Sequence, residues 1–132
     1  MTRKAPKTRS ASHAVRRRLA TAWLLCLALA SVGPLSAASE AESRIEQGRQ
    51  LAMARNKGNC LACHAFDDGE LPGNIGPPLI AMQLRFPDPE VLRAQIWDPT
   101  ERNPNTIMPP FGRHRILSEE EIDLIVEYIR TL

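Results

Sequence analysis

The sequence predicts an all-α domain, and three observations carry that expectation. Two Ser-x-x-Glu boxes, Ser43-Arg44-Ile45-Glu46 and Ser118-Glu119-Glu120-Glu121, have the composition of helix starts. Asp88-Pro89-Glu90 reads as a third start, with Asp at the N-cap, Pro at the first helical position and an acid in the first turn. No run alternates apolar and polar residues as a half-buried strand would, and the chain carries no repeat or low-complexity tract.

Taken in order, the chain opens on a leader. Arg3, Lys4, Lys7, Arg9 and Arg16-Arg17-Arg18 form a basic stretch without an acidic residue. Leu19 to Val32 is apolar but short for a bilayer span, and Ser36-Ala37-Ala38 offers small residues for cleavage. The expectation is a secretory signal peptide over residues 1–38, cut near Ala38, with the working domain over 39–132 and no stable membrane insertion. Three variants stand beside it: a twin-arginine signal, a lipid anchor on Cys26 and an uncleaved anchor. Folded export suits a late-attached cofactor poorly, and Leu25 is bulky where a lipidation site wants a small residue.

Cleavage there would remove seven of the 17 basic residues and none of the 15 acidic ones. Ten cations and fifteen carboxylates would remain, so the whole chain's formal +2 becomes −5. Nothing in that balance argues for nucleic acid. Roughly 94 residues make one small domain, whose limited core a covalently held group can staple.

From Ser43 a helix is expected to run to about Arg55, with Ile45, Gly48, Leu51 and Ala52 on one face. Gly48 costs such a helix about 1 kcal/mol relative to Ala, which a close backbone approach would rationalise. Lys57-Gly58 should end it. Leu79 to Leu84 reads as a short helical piece, and Val91, Leu92, Gln95 and Ile96 continue the helix begun at Asp88 until Asp98-Pro99 stops it. Trp97 near that end suits the core, although its indole N–H suits an anionic group of a bound ligand as well. Glu101 to Gly112 is extended and proline-flanked. The last helix carries Ile122, Ile125, Val126 and Ile129 on one face, and it is expected to cross the first near Gly48.

Chemistry centres on Cys60-Leu61-Ala62-Cys63-His64. Two cysteines three apart, followed by histidine, read as a c-type haem attachment site. Each thiol would add across one haem vinyl group, and a single helical turn would bring His64 beneath the iron as proximal ligand. A thioredoxin-like pair would want a strand–helix context, and a zinc site would want a second ligand pair. Outside the leader there is no further cysteine. Pro77, in Gly76-Pro77-Pro78-Leu79, sits a loop away and could offer its carbonyl to the other ring nitrogen of His64; a stiff turn without that contact is the alternative.

A distal ligand is sought among Met53, Met82, Met108 and His114, since Met1 and His13 belong to the leader. Met53 lies too near the attachment site, and Met82, in an apolar piece, suits core filling. His114 sits between Arg113 and Arg115, where a solvated ring is the plainer reading. Met108 lies in a rigid proline-flanked segment able to hold a thioether against iron, and it is the expected ligand. With His64 and Met108 both bound, the metal would be closed to substrates and open to electrons. Arg85, Arg113 and Arg115 form a candidate basic rim for steering an anionic donor or holding propionates, against a merely solvated face.

The order of these parts resembles class I cytochromes c. More narrowly, Lys57 to His64, Pro72 to Leu79 and Asn103 to Gly112 resemble the SoxX family, across roughly residues 44–132. That resemblance implies a small class I cytochrome c-like helical domain around one covalent haem c, held by Cys60 and Cys63, with His64 and Met108 axial and Pro77 the carbonyl partner of His64. It further implies a periplasmic subunit paired with SoxA in an L-cysteine S-thiosulfotransferase. That complex joins thiosulfate to a cysteine of the carrier SoxYZ and passes electrons to a small cytochrome c. The nucleophilic cysteine would then belong to SoxA, leaving this chain with no catalytic residue. A free-standing periplasmic electron shuttle is the other reading.

Overall fold

A computed structural model describes residues 34–66 and 69–132. The expected signal segment, with Met1, His13 and Cys26, lies outside the described residues up to residue 33, as do Asp67 and Asp68. Two compact units divide the chain, Met1–Ala38 and Ser39–Leu132; only the second is described in any detail.

The described elements are helices α1 (Pro34–Met53), α2 (Met82–Arg85), α3 (Pro89–Trp97) and α4 (Glu119–Ile129), with 3-10 turns at Cys60–Ala62 and Pro99–Glu101. Among the described residues there is no strand, and the all-α expectation holds. None of the described helices is long and apolar enough to cross a membrane.

Two starts form as their sequences dictate. Asp88 Oδ1 accepts the Glu90 amide at 2.9 Å, capping α3. At α4 the box closes from both sides: Ser118 Oγ accepts the Glu121 amide at 3.1 Å, and Glu121 Oε2 accepts the Ser118 amide at 2.9 Å. The box at Ser43 does not cap. Helix α1 already runs from Pro34, because Ala37, Ala38, Glu40, Ala41 and Glu42 are good helix formers and carry the helix upstream through Ser43. Glu46 instead accepts from Gln50 Nε2 at 3.0 Å, one turn on. The piece expected over Leu79 to Leu84 forms only as α2, Met82–Arg85, since Ala81 takes a left-handed backbone (φ 51°) and the chain turns helical only after it.

Helix α4 organises the core. Ile122, Ile125, Val126 and Ile129 are all buried, together with Leu124 and Tyr128, at about 2 kcal/mol for each fully buried aliphatic side chain. The first helix crosses it at Gly48: a Cβ built there would sit 2.0 Å from the Leu124 carbonyl oxygen. That close approach explains the glycine, as its sequence position suggested. The crossing is latched by Arg44, whose Nη2 and Nε donate to the Glu127 carboxylate at 2.6 and 3.0–3.1 Å. Arg93 joins α3 to α4 through Asp123 at 2.6 Å and Glu119 at 3.3 Å.

Glu121 does more than cap. Lys57 Nζ donates to its Oε1 at 2.5 Å, tying the loop before the cysteine pair to the start of α4. These donors, Lys57 first and then the Ser118 amide, hold the Glu121 carboxyl below the usual carboxylate range. A depressed folded-state value means the stabilisation is full above the unfolded pKa of about 4.3 and is lost as pH falls through the folded value. Acid titrations of the unfolding midpoint should therefore show wild type losing stability below about pH 4, and Glu121→Gln losing much of that pH dependence.

Candidate haem site

The Cys60–Ala62 turn starts from Asn59, whose left-handed backbone (φ 48°) is one that asparagine tolerates. The Cys60 carbonyl accepts both the Cys63 amide at 3.1 Å and the His64 amide at 2.9 Å, so the five-residue motif winds through one helical turn. The following loop is sewn onto that turn by backbone bonds, Gly73 N–H to Leu61 O, Gly76 N–H to Cys63 O and Leu79 N–H to Ala65 O, each 2.8 Å. Stitched this way, the loop brings Pro77 to the histidine. The Pro77 carbonyl oxygen lies 2.7 Å from His64 Nδ1. With Nδ1–H donating there, Nε2 would be left free to bind a metal. Gly76 backs the ring: a Cβ there would sit 2.4 Å from His64 Cε1.

His64, Cys60 and Cys63 face a cavity of about 540 Å³, whose far lining includes Thr106, Ile107, Met108 and Phe111. That volume lies within the ~300–1,000 Å³ of cofactor sites. The donor set fits a haem: two free thiols, an oriented imidazole and a thioether border one largely apolar space. Among the described residues, Arg55, Lys57 and Arg85 are its only ionisable lining groups besides the thiols and His64, and no carboxylate of those residues borders it.

The structure also separates the rival ligands. Met53 and His114 do not line the cavity, and His114 is exposed. Met82 does line it, which the sequence did not reveal; it is 2% exposed in the core and accepts an Arg85 N–H at its sulfur, 3.4 Å away. The expected basic rim is not one surface. Arg85 lines the cavity and donates to the Pro78 carbonyl at 2.7 Å. Arg113 is tied to Asp98 at 2.7 Å. Arg115 borders a separate shallow cleft with Trp97 and Ser118. Trp97 likewise lies off the haem cavity, against Gly112 and under the Arg93 guanidinium.

Burial pushes the Cys60 thiol up to about 11, with the neighbouring Cys63 adding to the rise. A redox-active Cys-x-x-Cys pair needs the opposite, a stabilised thiolate. No group of three or more His, Cys, Asp or Glu among the described residues is placed to hold a metal ion by itself.

Residues 43–129 match the family described as cytochrome C oxidase, cbb3-type, subunit III. The chain belongs to that family of cytochrome c domains. Such a domain binds haem and transfers electrons, in keeping with the cavity and its ligand set. A protein of Aquifex aeolicus (strain VF5) described as an uncharacterized lipoprotein is 40% identical over 74 residues. That stretch is 55% of this chain and 36% of the relative, so the match spans about a third of the relative's length.

Proposed function

We propose that this cytochrome c domain is the electron-accepting monohaem subunit of a SoxAX-type complex, exported to the periplasm. One observation carries the electron-transfer part: His64, oriented by Pro77, and Met108 border the same cavity as the two cysteines. Cys60 and Cys63 would hold one haem c through thioethers, and His64 and Met108 would be its iron ligands. The group supplies a one-electron couple, and His–Met ligation places its potential high. The chain's own residues do the rest. Pro77 fixes the imidazole tautomer, the apolar lining excludes water, and Arg55, Lys57 and Arg85 leave the cavity border cationic on an otherwise acidic domain.

The SoxAX assignment is supported by the motif set at residues 57–64, 72–79 and 103–112. In that role the chain partners SoxA, which supplies the nucleophilic cysteine for joining thiosulfate to SoxYZ, while electrons leave to a small cytochrome c. The enzyme is then an L-cysteine S-thiosulfotransferase to which this subunit contributes no catalytic residue. Export is supported by the basic–apolar leader and by the lipoprotein description of the Aquifex relative. A cytochrome c domain equally suits a second reading, a free-standing shuttle between respiratory complexes.

Size-exclusion chromatography of periplasm from thiosulfate-grown cells separates the two. Comigration with a larger haem protein, lost when SoxA is deleted, is the expected result. Elution as a free monomer under those conditions would favour the shuttle.

A further inference from the structure

Asp98 and Arg113 stand outside the haem cavity, yet they join the two pieces of chain that frame Met108. Asp98 ends α3 and opens the Pro99–Glu101 turn. Its carboxylate, on a residue only 5% exposed, accepts from the Thr100 amide at 3.1 Å, from the Thr100 hydroxyl, and from Arg113 Nη1 at 2.7 Å. Beside it the Trp97 carbonyl accepts the Gly112 amide at 3.1 Å and the Arg113 amide at 3.3 Å. The indole of Trp97 lies against Gly112 with no room for a side chain between them. The end of α3 therefore grips residues 112 and 113 by backbone, ring and charge.

Only Pro109, Pro110 and Phe111 separate that grip from Met108. The prolines fix two φ angles, and Phe111 is buried at the cavity wall. At its other end Met108 is steadied by its own amide donating to Thr106 Oγ1 at 3.2 Å. A strap this short and stiff transmits a displacement at Arg113 to the sulfur.

We infer that Asp98 and Arg113 are a positioning pair for the Met108 sulfur, setting how often it leaves the iron by anchoring the strap that carries it. This rests on the reading of Met108 as distal ligand. Neither residue touches the cofactor site; both act through the chain between them.

The test uses oxidised holoprotein and follows imidazole binding by stopped flow, because an added ligand must wait for the sulfur to leave. Global unfolding is measured in parallel by far-UV circular dichroism. Arg113 has a side chain that is 54% exposed, so Arg113→Gln should fold. It is expected to bind imidazole about fivefold faster, the scale of one partly screened charge-assisted hydrogen bond, with little change in the unfolding midpoint. Asp98→Asn should bind imidazole faster as well, with a lower unfolding midpoint because its ionised carboxylate supports the fold; Arg113→Lys should stay nearer wild type, and the double variant should be no faster than the faster single one. Wild-type rates in both single variants, or acceleration in Asp98→Asn alone, would overturn the pairing. A Met108→Ala control that keeps its thioether–iron band would instead overturn the ligand reading, leaving the two failures distinct.

Discussion

Replacing Met108 with Ala should remove the thioether-to-iron charge-transfer band from the oxidised spectrum and open the iron to added imidazole without delay. The midpoint potential should fall by on the order of 0.1 V, a modest part of the ~0.8 V that axial ligands span. The direction follows from chemistry: a thioether is a soft, neutral ligand that favours the reduced metal, and water or hydroxide in its place favours the oxidised one. Met82 borders the same cavity but is packed in the core with its sulfur engaged by Arg85, so it is not expected to substitute. Spectroelectrochemistry on the holoprotein checks both the band and the potential. An unchanged spectrum and potential would place the ligand elsewhere.

The largest loss of stability is expected at Gly48. On an exposed helix face Gly→Ala gains about 1 kcal/mol from backbone entropy and propensity. Here the added methyl would lie 2.0 Å from the Leu124 carbonyl oxygen and 3.0 Å from Tyr128 Cβ, so α1 and α4 must part. Overpacking between rigid backbones costs about 1–3 kcal/mol or more, and it outweighs the propensity gain. Parting the helices also stretches the Arg44–Glu127 latch. Gly48→Ala should therefore lower the unfolding midpoint of the holoprotein by many degrees; a rise in the midpoint would show that the crossing yields easily.

Local signals were legible wherever the deciding partners were neighbours in sequence. The Ser118 box, the Asp88 cap and the turn from Cys60 to His64 each close within four residues, and all three form. Gly48 was readable because a costly glycine in a helix calls for a contact, and Leu124 supplies it. The Ser43 box misled because a cap is a boundary, and strong helix formers upstream erased the boundary. Arg113 illustrates the other limit. Flanking His114 in a polar segment, it looks solvated, and its carboxylate partner lies fifteen residues back at a helix end. Nothing in the local pattern announces that pairing. Met82 is similar: its apolar surroundings predict burial, but not that the buried face forms a wall of the haem cavity.

The acid-base arrangement adds a consistent picture. Thr100, followed by Arg113, holds the Asp98 carboxyl below the usual range, and Lys57 does so for Glu121. Both groups stabilise the fold only while ionised, so each contribution is present above about pH 4 and lost as pH falls further. One of these carboxylates secures the segment before the cysteine pair, and the other secures the segment after Met108. The two loops that carry His64 and Met108 are thus fastened by charge to the helical frame.

Ligation of the iron by His64 and Met108 is probed most directly by NMR of reduced holoprotein labelled at the methionine methyl carbons. Met53, Met82 and Met108 would each give a signal, and the methyl bound at the iron is driven far upfield by the haem ring current. One such resonance, absent in Met108→Ala and retained in Met82→Leu, is the expected result. No upfield methyl, or one that vanishes with Met82 instead, would contradict it.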